Sequence, residues 1–543
     1  MNAETSAPAR ASSTRLRWWS HTRFPLFVVA AMVVALFVIS RLPEDRFDRG
    51  IQVSLMYLGM GASVLVLAVW YFAFASISWA TRGITALLLV LGGMASLAAI
   101  RRIDFTGDMR PVFEFRWQPN RDQLLTAHRT SLAADDDLPP IQLDAIRETD
   151  MAEYRGQRRD GVVTGPPLAR DWTARPPEVI WRQPVGGGYA ALSVAGNVAV
   201  TIEQRGENEA VVCYDPASGR ERWIYDYPAK FSEPLGGVGP RATTTIAGGK
   251  VYALGGTGVL TCLDVANGAH VWTRNVLTLS GAKNLQWGMA GSPLVFDGKV
   301  IVSPGGQGAA TGRAVLALDA VTGELIWSIG DAQGAYASPM LARLDNVQQL
   351  IIFDAEGVAG FDLDGRGELW RYPWKTPFDN SAAQPVVLPG DRVLITSDNG
   401  CALLKINRQD DTWSVEPLWT NKLLKGAYAN PIARDGFVYG LDKGILVCLD
   451  LKTGRRRWKQ GRHGHGQMLL ADDLLVILSE KGHLVLVEAT PDAYRELGKI
   501  PAIEGRTWNN PTMVEGRIFV RNHLEMACYD LHPLETEEAR TTE

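Results

Sequence analysis

One eleven-residue pattern in the second half of the chain restricts the fold more than any other feature. CYDPASGRERW (213–223), CLDVANGAHVW (262–272), ALDAVTGELIW (317–327), GFDLDGRGELW (360–370) and CLDLKTGRRRW (448–458) align without gaps from Asp to Trp. The Asp residues at 215, 264, 319 and 362 stand 49, 55 and 43 positions apart, and the 88 positions from Asp362 to Asp450 leave room for two units. A weaker copy, CALLKINRQDDTWSVEPLW (401–419), fills that gap. Two more follow: LVLVEATPDAY (484–494), where Glu488 and Tyr494 stand in for Asp and Trp, and MACYDL (526–531), with no Trp after it. Upstream, VIWRQP (179–184) offers Trp181 with no Asp hairpin before it, so the first and last pieces are two halves of one unit.

Before each hairpin lies another strand pair, as in IAGGKVYALGGTGVLTCLD or VEGRIFVRNHLEMACYD, with alternating Val, Ile, Leu and Tyr broken by Gly-Lys or Asp-Gly turns. Such runs are half-buried strands joined by hairpins. Four short strands per unit, eight times over, predict an all-β eight-bladed β-propeller over residues 179–532, its ring closed by the strand at Trp181 joining the sheet that ends near Asp530. Asp and x-x-Thr-Gly make the tight hairpin, with Gly taking a positive φ. The Trp buries its ring between neighbouring sheets. Cys213, Cys262, Cys448 and Cys528 each precede the hairpin acid by two residues, so they are core strand positions and not disulfide partners.

The first hundred residues have a different character. FPLFVVAAMVVALFVIS (24–40), the stretch 51–80 and GITALLLVLGGMASLAAI (83–100) are almost uncharged, which predicts a three-helix transmembrane anchor with spans near 24–40, 54–76 and 83–100. The sequence after the first span lacks a small-residue cleavage pattern, which disfavours a signal peptide. Positive residues divide evenly: Arg10, Arg15, Arg17, Arg23 and Arg82 on one side, Arg41, Arg46, Arg49, Arg101 and Arg102 on the other. The first helix usually dominates, and the loop after it also carries Glu44, Asp45 and Asp48. We therefore expect residues 1–23 to form a cytoplasmic tail and everything after residue 102 to lie outside the cytoplasm, as in a multi-pass inner-membrane protein with a periplasmic propeller. Residues 103–178, with AADDDLPP and TGPPLARDWTARPP, read as an extracytoplasmic linker, and YRGQRRDGVVTG (154–165) within it as a turn packed on the next domain. Residues 533–543 read as a disordered tail.

A net charge of −4 over 543 residues excludes a general nucleic-acid binder. Five cysteines without a CxxC pair offer no zinc site. Lipid, envelope proteins and an anionic small molecule or peptide are the expected partners.

The repeats, of the form A/C-x-D-x-x-T-G-x-x-x-W, resemble the PQQ-type propeller family. That family includes eight-bladed quinoprotein dehydrogenases and the cofactor-free propeller lipoprotein of the outer-membrane barrel assembly machinery. For a dehydrogenase the resemblance implies PQQ over the central channel, a Ca²⁺ held by carboxylate and amide oxygens, a carboxylate base, and often a disulfide between adjacent cysteines. This chain has no adjacent Cys pair, and its blades are short. The expectation is therefore a binding or scaffold module without cofactor or catalytic residues. The alternative is a PQQ-dependent membrane dehydrogenase of alcohols or sugars, with Ca²⁺, passing electrons to quinone.

Residues that lead into each innermost strand form a ring on one face of a propeller. Aligning the steps YAAL, RATT, YASP, AAQP, YANP, HGQM and WNNP places Tyr189, Arg241, Tyr336, Ala382, Tyr428, His465 and Trp508 at one level, with Trp287 of WGMAGSP nearby and Gln384 in the step AAQP. Lys425, Arg462 and Arg506 fall close by. Aromatic faces and fixed cations suit an anionic, planar or peptide-like ligand, while the same rings could equally plug the tunnel. His463 and His465 alternate faces and would not chelate together. Asp331, Asp379 and Glu233 are the acids within range for Ca²⁺, and no spacing rule selects among them.

Overall fold

The structure, a computed structural model, describes residues 23–42, 49–75, 77–132, 138–143, 145–305, 308 and 310–533. The cytoplasmic tail up to residue 22, the loop acids Glu44, Asp45 and Asp48, and the tail from 534 lie outside the described residues. The chain divides into two compact units, Met1–Gln118 and Pro119–Glu543.

In the first unit the apolar stretches are helices Phe24–Ser40, Arg49–Ala73 and Trp79–Ala99. The last is capped by Ser78, whose side chain accepts from the Thr81 N–H. Two of them are long and apolar enough to cross a bilayer. The first, at 17 residues, spans only about 26 Å at ~1.5 Å per residue, short of a roughly 30 Å hydrocarbon layer. A hairpin, Ile100–Phe105 with Pro111–Phe115, follows.

The second unit carries eight sheets built on four antiparallel strands each, consecutive in sequence in all but the eighth and joined in the seventh by a fifth, parallel strand, Val162–Val163. The first seven begin at Ser193, Thr245, Leu294, Met340, Val386, Ile432 and Gln467. The eighth runs Thr512–Val514, Arg517–Arg521, Glu525–Asp530 and then Glu178–Pro184, pairing Trp181 with Cys528. The ring is therefore closed by the strand the sequence designates. Inner strands are more buried than outer ones, as in Gln467–Ala471, buried throughout, against Glu496–Pro501, half-buried or exposed along its length. All five cysteines are buried and free.

Each element of the repeat has a traceable duty between blades. Asp319 accepts the Val321 and Thr322 N–H groups, and Asp450 accepts the Thr453 N–H and hydroxyl. The Gly four positions on has positive φ, as at Gly268 (+71°) and Gly454 (+68°), and lies directly beneath the Trp of the preceding blade. A Cβ on Gly268 would sit 2.6 Å from the Trp223 ring, and one on Gly454 2.8 Å from Trp419. The indole N–H then donates to the backbone carbonyl just after the next blade's acid: Trp181 to Pro216 (3.0 Å), Trp223 to Val265 (2.9 Å), Trp272 to Ala320 (3.1 Å) and Trp419 to Leu451 (2.8 Å). Trp and Gly are thus two halves of one joint, shared by successive blades.

In the seventh sheet Tyr494 does not stand in for Trp. The residue opposite Leu486, at the register held by Trp elsewhere, is Gly498. Its missing ring is supplied by Trp172, whose Cβ lies 2.4 Å from where a Cβ on Gly498 would be. Trp172 is buried in the core cluster to which the seventh, eighth and first sheets contribute. Tyr494 instead lies edge-on to Trp458 of the sixth blade, with ring centroids 5.9 Å apart.

The stretch read as a linker is also built into the propeller from residue 119 onward. Helix Arg121–Leu132 reaches Glu221 through Arg129 (3.0 Å) and Gln183 through His128 (3.1 Å). Pro139 and Pro140 carbonyls accept from Arg222 and Asn197. Arg170 pairs with Asp473 and Glu488. Composition misleads here because such a segment satisfies its backbone against the blades, so it needs no periodic pattern of its own.

Candidate functional site

The centre of the ring is occupied by the chain's own residues 150–163. Met151 bridges Val194, and the Ala152 carbonyl accepts from the Ile246 N–H (2.8 Å). Val162–Val163 runs parallel to the inner strand of the seventh blade, opposite Leu470 and Ala471. Between these ends, Arg159 is 1 % exposed and donates to the carbonyls of Ser292 (3.1 Å), Pro293 (2.6 Å) and Pro339 (2.7 Å), with Glu153 as its ion partner at 2.8 Å. Arg155 donates to the carbonyls of Met468 (3.1 Å) and Pro431 (3.5 Å) and to Asn510 (3.5 Å). Through these contacts and that of the Met513 N–H with Met151, the fourteen residues reach the inner strand, or the residues leading into it, of seven blades, and only the axis is within reach of seven at once. Arg155 and Arg159 both hold positive φ (60° and 55°), a conformation that surrounding bonds must impose on a residue with a Cβ. The expected turn at 154–165 is therefore an axial plug.

Above the plug, the polar residue of each repeated step reaches to its neighbour. Ala191 N–H donates to Thr243 Oγ1 (3.2 Å), Thr243 to Ser292 Oγ (2.9 Å), Ser292 to Ser338 Oγ (2.9 Å), Ser338 to Gln384 Oε1 (3.2 Å), Gln384 to Asn430 Oδ1 (2.8 Å) and Asn430 to Gln467 Oε1 (3.2 Å). This belt joins blades one to seven. Gln384, expected at the rim, belongs to it: the side chain is buried and its Nε2 donates back to the Ser338 carbonyl at 2.9 Å.

The other seven rim residues meet one another at the mouth. Tyr428 stacks on His465 (5.2 Å between centroids) and meets Trp508 edge-on (5.5 Å), and Trp508 lies 5.5 Å from Tyr189. Trp287 and Tyr336 form a separate pair at 5.4 Å. Arg241 lies 5.0 Å from the Tyr189 ring centre and donates to the carbonyls of Trp287 (2.6 Å) and Gly236 (3.0 Å). Burial, opposed by Tyr189 and reinforced by Arg506, pulls the Arg241 guanidinium below its usual value. Arg506 covers Trp508 at 4.3 Å and donates to the Tyr189 hydroxyl. Arg462 is instead exposed at the end of an outer strand, and the Lys425 N–H bonds Asp442. His463 is buried apart from His465, near Tyr494, and burial pushes its imidazole down to about 4. Two contributors escaped sequence reading. Glu480 accepts the Trp508 indole N–H (3.1 Å) and the His465 N–H (3.2 Å), and the loop 232–238 lays Gly237 against Tyr189 and Arg506. Neither falls on the repeated step.

A planar cofactor with calcium does not fit these residues. A flat ring system between two others needs faces about 7 Å apart, twice the ~3.5 Å carbon contact distance. The neighbouring rings here stand 5.2–5.5 Å apart and serve as each other's partners. Nor do the acids gather for a cation: they sit in three separate loops, and no cluster of three metal-ligating side chains among the described residues includes them. Glu233 accepts the Leu235 N–H (2.8 Å), Asp379 accepts from Gln333 (3.2 Å), and Asp331 accepts the Gly312 N–H (2.6 Å).

A family model described as outer membrane protein assembly factor BamB matches residues 170–283 and 207–460. Among characterised relatives, quinohemoprotein alcohol dehydrogenase ADH IIB of Pseudomonas putida is 31 % identical over 166 residues, covering 30 % of this chain and 22 % of that protein. Outer membrane protein assembly factor BamB of Moranella endobia is 21 % identical over 257 residues, covering 45 % and 63 %. The matched part is thus about a fifth of the dehydrogenase's length and under two thirds of the assembly factor's. Among solved structures, quinohemoprotein alcohol dehydrogenase from Comamonas testosteroni superposes with a TM-score of 0.55 at 16 % identity, covering 77 % of this chain and 85 % of that one. This likeness is one of fold.

Proposed function

This chain belongs to the PQQ-like β-propeller repeat family, and from that premise we propose that it is a membrane-anchored binding and scaffold module for envelope proteins. Its three apolar helices anchor it in the inner membrane, the short first one crossing where the bilayer thins around it, with residues 1–23 in the cytoplasm and the propeller of residues 179–532 in the periplasm. What supports the binding reading is the state of the axis: residues 150–163 fill it, and the mouth is closed by Tyr189, Tyr428, His465 and Trp508 packed on one another. Surfaces, and not a buried cofactor, are then what the fold offers. Arg241 and Arg506 give the mouth a cationic character suited to an anionic small molecule or peptide at its surface.

The second reading, a PQQ-dependent membrane dehydrogenase, rests on the similarity to quinohemoprotein alcohol dehydrogenases. One experiment separates the two. The full chain in detergent is incubated with PQQ and Ca²⁺, and cofactor binding and dye reduction with alcohols and sugars are measured. The binding-module reading expects neither saturable binding nor turnover. Micromolar PQQ binding with turnover overturns it.

A further inference from the structure

The outermost strand of every blade leaves one edge of unpaired N–H and C=O groups, which invites another strand unless it is guarded. Seven of the eight carry a charge within the strand: Glu221–Pro228, His270–Asn275, Glu368–Pro373, Thr412–Asn421, Arg456–Arg462, Glu496–Pro501 and Glu178–Pro184. Five of those seven also contain a proline. The third blade's outer strand, Leu325–Ile329, reads LIWSI and has neither. All eight sheets share a bulge beside this strand, so the bulge does not set the third apart. Its side chains are also presented to solvent. Ile326 is 48 % exposed, Leu325 39 %, and Val321 in the preceding hairpin 75 %. Among the described residues no group outside its own sheet bonds to this strand.

The ends of the strand indicate what kind of partner it takes. Glu324 precedes it and Asp331 follows two residues after it, both exposed and neither in an ion pair with a described residue. An antiparallel pairing of this strand with itself in a second copy, centred on Trp327, would set Glu324 opposite Gly330 of that copy, one position from its Asp331. Both ends would then bring like charges together, which is unfavourable in a sheet. A different strand with basic residues at its ends would meet acids at both.

We infer that the outer edge of the third blade is a strand-acceptor site, taking an extended apolar segment flanked by Lys or Arg from a partner protein. It adds a fifth strand to the sheet, with backbone bonds supplying affinity and Leu325, Ile326 and Val321 supplying apolar contact. This inference rests on the binding-module reading and names the surface that does the binding.

The test uses the full chain in detergent and three fluorescent peptides: Lys-Val-Thr-Val-Thr-Val-Lys, the same core flanked by Glu, and the Lys-flanked core with a central Pro. The Lys-flanked peptide should bind, the other two at least tenfold more weakly, and bound peptide should slow amide exchange at 325–329. Ile326→Lys, which gives this edge the guard the others have, should cost at least tenfold in affinity while leaving the unfolding midpoint unchanged. Equal binding by the Glu-flanked peptide, full binding by Ile326→Lys, or protection confined to another blade would overturn it. So would a wild-type dimer that Ile326→Lys makes monomeric, because the occupant would then be a second copy. Failure here without PQQ turnover removes only this strand, whereas PQQ turnover removes the broader reading.

Discussion

At the residue scale, the repeat glycine is constrained twice, by its left-handed backbone and by the indole above it. Gly268→Ala adds a Cβ 2.6 Å from the Trp223 ring at a φ of +71°. We expect a loss of about 2–4 kcal/mol, combining the left-handed penalty with a displaced ring, measured by denaturant unfolding. Trp172 tests the substitution of one tryptophan by another from outside the repeat. Trp172→Ala should cost about 3–5 kcal/mol, in the range for emptying a buried indole site, while Tyr494→Phe should change stability by well under half of that. The hairpin acids give a pH dependence. The Lys250 ammonium holds the Asp264 carboxyl below the usual range, and the Thr322 and Val321 N–H groups do the same for Asp319. A carboxyl whose folded value is depressed stabilises above the unfolded value of about 4 and loses that contribution as pH falls through the folded value. Thermal midpoints should therefore drop below about pH 4, and Asp319→Ala should flatten the fall. The repeated Gly and Trp were legible as a pattern, and the Trp as a ring between neighbouring sheets, but not that each indole rests on the glycine of the next blade, because those partners are 35–51 residues apart.

At the scale of elements, the plug is the main departure from what the sequence announces. YRGQRRDG is dense in Gly and Arg, which reads as a turn packed on the next domain, yet it enters the ring and Arg159 is among the most buried side chains. Its guanidinium serves three carbonyls from two blades, a task its fork of donors suits and a Lys ammonium does not. Arg159→Met would strand the Ser292 and Pro339 carbonyls in a dry interior, leave the Pro293 carbonyl only the Thr245 hydroxyl, and take the ion partner from Glu153. At about 1–3 kcal/mol for each buried group left unpaired, a loss of roughly 3 kcal/mol or more is expected, and Arg159→Lys should recover only part. Limited proteolysis would check the element directly: wild-type protein should resist cleavage between 150 and 163, and the Met variant should be cut there. The rim was legible as a level of aromatic and cationic residues because the Ser/Asn-Pro step fixes register. Gln384 was misplaced because it is the third residue of its step, two past the rim position at Ala382, and the third residues turn into the belt, as Thr243, Ser338 and Asn430 do.

At the scale of the whole molecule, closure decides stability. The outer strand Glu178–Pro184 is the last of the eighth sheet, so contacts at the two ends of the propeller sequence are made together or not at all. Trp181→Ala should lower the midpoint of the whole propeller in one cooperative transition, with no separate early loss of the eighth blade, as followed by calorimetry. The chain's letters alone determined the number of sheets, their internal order and the strand that closes the ring. A period-two pattern and a fixed Asp-to-Trp spacing are local, and local patterns survive in one dimension. Only the tertiary structure decided what fills the axis, which Trp serves the seventh blade, and which rim residues touch. Those outcomes depend on groups far apart in sequence competing for one small space at the centre of a ring, and no spacing rule records who arrives there.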